Sequence, residues 1–313
     1  MEHILKLTVE NQYLPATVEK ILLFQAGLTR KQISGAKFRS GGILCNGIQC
    51  RVTKTVSAGD ALTICLEESS RGSSHLEFPS ELLPPLQILY EDQDILAVDK
   101  PSGLVTHPSG KHFKDTLSNQ VYWYLRQKGE TVTVRSIGRL DRETSGIVVF
   151  AKNKTCAARL QAQHYTGEYR KKYLAILSGS LPENRQYTVS FPIGPDPGDS
   201  RKMQCFPCKE QPAPDSRPAV THFQVLYSTS KWSLVSLSLE TGRTHQIRVH
   251  MKSIGHPLVG DTLYGTDFTD SPLYFHRAAL HAWKISFFHP FDNRAISVKA
   301  PLPEDFSFLK KMV

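Results

Sequence analysis

Apolar residues recur at helical spacing in some stretches of this chain and stand in unbroken runs in others. Val18, Ile21, Leu22 and Gln25 open a helical pattern that Gly27 ends. Thr29-Arg30-Lys31-Gln32 has the spacing of a capping box, in which hydroxyl and amide exchange bonds with backbone donors. The helix it opens carries Arg30, Lys31, Lys37 and Arg39 before Gly41-Gly42 stop it. Residues 43–49 read as a hairpin, because Asn46-Gly47 suits a type I′ turn between two short strands. Further on, Leu117, Val121, Tyr124 and Leu125 with the closing Gly129 predict a helix, and Ala157, Leu160 and His164 another. Between them stand strand-like runs at Ile95–Val98, Ile147–Phe150, Tyr173–Leu177 and Leu234–Leu239. Strands and helices mixed without a βαβ rhythm predict an α+β domain rather than a doubly wound sheet.

Composition divides the chain. The run Glu67-Glu68-Ser69-Ser70-Arg71-Gly72-Ser73-Ser74 has linker character and Pro84-Pro85 marks its far end. The expected organisation is a small unit at 1–66, a linker at 67–85 and a large domain at 86–313. A length of 313 residues suffices for two cores. Lys and Arg number 38 against 29 Asp and Glu, a net charge of +9. That excess suits a polyanionic partner, nucleic acid rather than membrane since no amphipathic basic helix stands out, although it also serves solubility. The first residues lack the apolar core of a signal peptide, and no apolar run reaches membrane-spanning length, so a cytoplasmic protein is expected. Six scattered cysteines read as reduced thiols. Cys205-Phe206-Pro207-Cys208 has no second ligand pair at finger spacing, so no metal is expected there. The stretch 192–220, rich in Pro and Gly and carrying Arg201-Lys202-Met203, reads as an exposed loop or a basic finger laid on RNA.

The candidate chemistry lies in Gly138-Arg139-Leu140-Asp141-Arg142-Glu143-Thr144-Ser145-Gly146, which feeds at once into the apolar run from Ile147. Thr144, Ser145 and Gly146 supply turn chemistry, so Asp141 is expected at the mouth of a sheet, flanked by Arg139 and Arg142. Positive neighbours favour a carboxylate's charged form, which a nucleophile or general base requires. A surface ion pair is the alternative. Between Gly242 and Gly255 a helical segment places Ile247, Met251 and Ile254 on one side and His245, Arg248 and Lys252 on another. His245 and His250, five residues apart, diverge around that helix and do not make a zincin pair.

Arg139-Leu140-Asp141 with Thr144-Ser145-Gly146 resembles the catalytic motif of the RluA-type pseudouridine synthases. Three further stretches are similar to that family, in its order, over roughly 86–300. They are Glu91–Leu104 with Thr106-His107-Pro108, Lys171-Lys172-Tyr173-Leu174-Ala175, and Thr241–Met251 followed by Val259–Gly265. The family usually has His where Gly138 stands. The resemblance implies a mixed, largely antiparallel sheet with a cleft across it. It also implies a reaction that converts uridine in RNA to pseudouridine without cofactor or metal. It assigns Asp141 to attack the sugar covalently or remove a proton from it. Tyr173 would stack on the uracil, and Arg248 would pair with Asp141, with Arg243 as the competing candidate. Arg139 would fill the vacated stack or contact phosphate.

The arrangement at 14–66 resembles the S-four RNA-binding domain, although Pro15-Ala16-Thr17 replaces the Arg and Asp that usually open its first helix. This implies RNA contacts from Arg30, Lys31, Lys37 and Arg39, with Arg201 and Lys202 added from the loop. The expected substrate is large-subunit ribosomal RNA or a ribosome precursor, with no obligate protein partner evident. Transfer RNA is the alternative within the class. A non-catalytic ribosome-assembly factor and a carboxylate-pair glycoside hydrolase are the alternatives outside it.

Overall fold

The computed structural model describes residues 2–67, 76–77, 83–130, 133–206, 215–265 and 275–311. The Ser-rich part of the expected linker, 68–75, lies outside the described residues, as does Cys208.

The first unit contains β1 (Glu2–Thr8), β2 (Ala16–Thr17), α1 (Val18–Phe24), α2 (Arg30–Lys37), β3 (Ile43–Cys45), β4 (Ile48–Gln49), β5 (Thr55–Val56) and β6 (Ala61–Glu67). Its main sheet runs β1-β6-β3-β4, all antiparallel. Thr29 caps α2 as expected: the Gln32 amide N–H donates to its hydroxyl at 3.3 Å, and the Thr29 N–H donates to Gln32 Oε1 at 2.9 Å. Asn46 and Gly47 take φ of +52° and +80°, the turn that their pairing demands. Ile21, Leu22, Ile33, Leu62 and Ile64 are buried in a core of this unit's own. Each such side chain contributes about 1.5–3 kcal/mol on burial.

The second unit runs β7 (Gln87–Glu91), β8 (Ile95–Lys100), α3 (Leu117–Gln127), β9 (Arg135–Ile137), β10 (Ser145–Ala151), α4 (Lys154–Thr166) and β11 (Arg170–Ser178). It continues with β12 (Gln186–Val189), β13 (Ile193–Pro195), β14 (Met203–Cys205), β15 (Thr221–Ser228) and β16 (Trp232–Leu239). It ends with α5 (Gln246–Ser253), β17 (Leu280–Phe288) and β18 (Ala295–Lys299). Ten strands form one sheet in the order β12-β15-β16-β11-β17-β10-β8-β7, with β18 added on β17 and β9 on β10. Among the described strands only β10 and β17 pair in parallel, so the sheet is mixed and largely antiparallel, as expected.

Alternation explains the unbroken apolar runs. Leu96, Val98, Val148 and Phe150 face α3 with its Leu117, Val121 and Leu125. Their neighbours Ile95, Ala97, Ile147 and Val149 face α4 with its Cys156 and Leu160. A sheet covered on both sides needs apolar residues at every position.

Two expectations are corrected. Gly146 is not a turn residue: it lies inside β10, opposite Ala282 of β17, at φ +108°. A Cβ there would stand 2.3 Å from the Ala282 carbonyl oxygen, so the parallel pairing requires glycine. Beyond it β10 continues with β9 while β17 continues with β18. The stretch 192–220 is not simply a loop, since β13 and β14 pair as a hairpin packed on Val249 and Tyr264. No helix among the described residues is long and apolar enough to cross a membrane.

Candidate active site

A buried lysine fixes the Asp141 turn from beneath. Lys100, at the end of β8, is 0% exposed. Its Nζ donates to the carbonyls of Leu104 at 2.8 Å, Pro101 at 2.9 Å and Arg142 at 3.2 Å. Three acceptors match the three N–H groups of an ammonium. Burial pushes Lys100 down to about 7, and the charges of Asp141 and Asp99 work against that fall. The segment after Lys100 is stitched to the same turn. Gly103 N–H donates to Arg142 O at 2.8 Å and Ser102 Oγ to Glu143 O at 2.9 Å. Thr106 Oγ1 donates to Leu140 O at 2.9 Å. Gly138 enters the turn at φ +77°, in the left-handed region that favours glycine.

Asp141 opens this turn, its carbonyl accepting the Thr144 N–H at 3.1 Å. Arg139 is exposed beside it, while the Arg142 guanidinium turns to the Gly103 carbonyl at 3.0 Å. Tyr173 is 8% exposed on β11, where the register against β17 shifts between Lys172 and Tyr173. Such an irregularity re-aims a side chain. Burial first, and the charge of Asp141 second, push its phenol well above the usual range.

The expected pairing of Arg248 with Asp141 is not what the structure contains. Arg248, 4% exposed, forks onto Asp261, with Nε–Oδ2 and Nη2–Oδ1 both at 2.7 Å, and reaches Glu143 Oε2 at 3.4 Å. The reason is geometric. Asp261 is held face-on to the guanidinium by the N–H groups of Leu263 at 2.9 Å and Tyr264 at 3.0 Å. Burial raises the Asp261 carboxyl, but Arg248 and these N–H groups outweigh it and hold it below the usual range. Asp141 lies within electrostatic reach of Arg248, yet no cation among the described residues forms an ion pair with it. Arg243, the competing candidate, donates to the Pro218 carbonyl at 3.0 Å.

One side of α5 does gather His245, Arg248 and Lys252, as expected, and the feature they share is Tyr264. Its hydroxyl lies 2.8 Å from His245 Nδ1, and its ring lies 5.1 Å from Arg248 and 5.8 Å from Lys252. His245 precedes the helix at φ +56° rather than lying within it. His250 is fully buried between Thr221 at 2.8 Å and the Phe191 carbonyl at 2.9 Å.

Asp141, Tyr173, Arg248 and Arg139 line one cleft of about 570 Å³. Arg30, Lys31, Lys37 and Arg39 belong to α2 and its end, and Arg201 and Lys202 to the β13–β14 turn, so none of these six lines it. Arg201 and Lys202 face Asp199, at 2.8 and 3.9 Å. Sequence reasoning assigned no role to Lys100, Asp261 or Tyr264. The signal for Asp261 was its place after Gly260, whose φ of +72° marks a turn that an Asp carboxylate can bridge to following N–H groups.

Residues 94–253 match the RNA pseudouridylate synthase family. An uncharacterised RNA pseudouridine synthase of Bacillus subtilis, YhcT, is 40% identical over 81% of this chain and 79% of that protein. The ribosomal large subunit pseudouridine synthase D of Nitrosomonas europaea is 34% identical over 82% of this chain and 73% of its own length. Among solved structures, human RNA pseudouridylate synthase domain containing 1 superposes with a TM-score of 0.56 at 30% identity, covering 72% of this chain and 87% of that one. With the four motifs in order and a mixed sheet that brings the Asp141, Tyr173 and Arg248 motifs to one cleft, the chain belongs to the RluA-type family of RNA pseudouridine synthases, which are isomerases acting on RNA.

Proposed function

We propose that this chain isomerises particular uridines of structured RNA, with large-subunit ribosomal RNA as its substrate and Asp141 as the reacting carboxylate. The observation that carries the reading is a carboxylate without an ion-pair partner among the described residues, set in the same cleft as a buried tyrosine and a fixed arginine. In the reaction the bond from the sugar C1′ to uracil N1 breaks, the base turns, and a bond to carbon-5 forms. The proton lost from carbon-5 is matched by one gained at N1, so no electrons leave and no phosphate is consumed.

Asp141 acts on the sugar, as a nucleophile or as a base. Tyr173, kept protonated by its burial, offers its ring to the uracil face. Arg248 supplies a fixed positive charge, held in place by Asp261. Arg139, exposed at the cleft, fills the vacated stack or contacts phosphate, since a base in folded RNA must be extruded first. The choice of ribosomal RNA is supported by relatives named for the ribosomal large subunit. It is also supported by the S-four-like first unit, where Arg30, Lys31 and Lys37 stand exposed on α2, followed by Arg39. Arg201 and Lys202 are the further phosphate contacts, from the hairpin tip.

Pseudouridine mapping in unmodified large-subunit rRNA tests this. Asp141→Asn preserves shape but not charge, so turnover should fall below about one hundredth of wild type while RNA affinity is nearly unchanged. More activity than that removes Asp141 from its role, and no pseudouridine with the wild-type enzyme overturns the reading.

A further inference from the structure

The cleft extends beyond Asp141 along the end of α4. Gln161, His164 and Tyr165, spaced so that one face of the helix presents all three, form that wall, and Lys171 of β11 stands beside them. None of the four has a role in the isomerisation argued above.

This wall is rigid. Gln163 grips β17 in both directions, donating to Phe288 O at 2.7 Å and accepting from Phe288 N at 2.9 Å. Gly167 ends the helix in the left-handed region. Tyr169 is buried, stacks on Phe287 at 5.6 Å and bonds to the Ile137 carbonyl, one residue before Gly138. The His164 ring rests 5.8 Å from the Tyr169 ring.

On this braced wall two groups have no structural employment. Tyr165 is 84% exposed, and among the described residues its ring meets no other. A large aromatic ring held at the mouth of a cleft exposes apolar surface to water, and a stacking partner would bury that surface. Lys171 is half-buried, and no carboxylate among the described residues pairs with it. Its burial pushes it down to about 8 with no opposing charge. A partly desolvated cation without an acid beside it is suited to an incoming anion.

We propose that the α4 wall is a second nucleotide subsite, in which Tyr165 stacks on the base adjoining the isomerised uridine and Lys171 takes the intervening phosphate. This rests on the reading that the cleft binds RNA. It extends that reading from one nucleotide to two and makes α4 a determinant of sequence context. Aromatic stacking tolerates every base, so the subsite selects an unpaired neighbour rather than one particular base.

The test uses the full chain and a short RNA spanning a uridine that the wild-type enzyme converts, with 2-aminopurine placed on either side of it in turn. Wild type should quench the reporter on one side only. Tyr165→Ala should remove that quench and lower kcat/KM about 10-fold, mainly through KM, and Tyr165→Trp should restore both. Lys171→Met should reduce the salt slope of binding by about 0.7, and Lys171→Arg should keep it. Tyr165→Ala leaves the core untouched, so a fold defect in Lys171→Met would not spare the proposal. Unchanged quench and unchanged KM in Tyr165→Ala overturn the subsite. If wild type forms no pseudouridine in ribosomal or transfer RNA, the function reading falls, and the subsite with it; failure in ribosomal RNA alone changes the substrate and leaves the subsite to the Tyr165→Ala result.

Discussion

At the scale of single residues, the arginine–aspartate fork decides how the cleft is held. Arg248 and Asp261 are both almost wholly buried, and each is the other's main compensation for lost water. Removing one partner of such a pair costs about 3–5 kcal/mol, because the survivor stays buried and charged. Arg248→Ala and Asp261→Ala should each lower the melting temperature markedly. Their double-mutant cycle should return a coupling of about 2 kcal/mol or more. The same cycle between Arg248 and Asp141 should return little in stability, since the two form no ion pair. Strong Arg248–Asp141 coupling with weak Arg248–Asp261 coupling would reverse this assignment. The sequence placed Arg248 on the right side of its helix but not with the right partner. Periodicity fixes which way a side chain leaves a helix, whereas its partner arrives from a turn that no local pattern ties to it.

At the scale of elements, what was legible was a helical period, a turn dipeptide or an unbroken apolar run. Both helices of the first unit, the capping box and the Asn46-Gly47 hairpin follow from spacing and from one dipeptide. The run at Ile147–Phe150 announced β10 because a strand covered on both sides is apolar throughout. β15 and β18, with only alternate positions buried, lack such a run, and β13 and β14 sit in a stretch whose prolines and glycines read as loop.

One inter-element clamp was invisible for the same reason. His289, after β17, meets Asp92 at 3.3 Å, Asp94 at 4.0 Å and Asp292 at 2.9 Å, so the β17–β18 turn is tied to the β7–β8 turn. Tyr90 and Arg294 complete its surroundings, both bonded to Asp92. Burial opposes the imidazolium, but the carboxylates outweigh it and raise His289 above the ordinary 6.5. A raised histidine stabilises fully below its unfolded pKa, and the contribution is lost as pH rises through the folded value. Asp92 is held low: burial alone would raise it, but His289, Tyr90 and the N–H groups of Asp94 and Ile95 prevail. Its contribution is therefore lost only on strong acidification. Melting temperature should fall as pH rises from 6 to 8.5, and His289→Gln should flatten that slope. A slope unchanged in His289→Gln would remove the clamp from the account.

At the scale of the whole molecule, α4 joins the two units while its end lines the cleft. Arg159 donates to the carbonyls of Ala26 in the first unit and Pro290 in the second, and Gln32 Nε2 reaches Thr155 Oγ1 at 2.7 Å. Phe291 packs against the cores of both units, under the Arg159 guanidinium at 5.5 Å. The sequence suggested two separate cores, and each unit does bury its own, but this seam shows that they are docked rather than merely tethered. A basic helix docked at a fixed distance from a cleft can hold folded RNA while one nucleotide is extruded; a freely tethered one would add only local concentration. Deleting residues 1–66 should leave a folded second unit, because its own clusters contain no residue of the first. Its melting temperature should drop, since Phe291 and Thr155 lose their cover. Binding to large-subunit rRNA should weaken, and the salt slope should fall by about 2–3 as the cations of α2 cease to displace counterions. Titrations of the full and shortened chains across a range of salt concentrations give both slopes. An unchanged slope would show that the first unit does not dock the RNA, and unchanged stability would show that the seam contributes nothing to the fold.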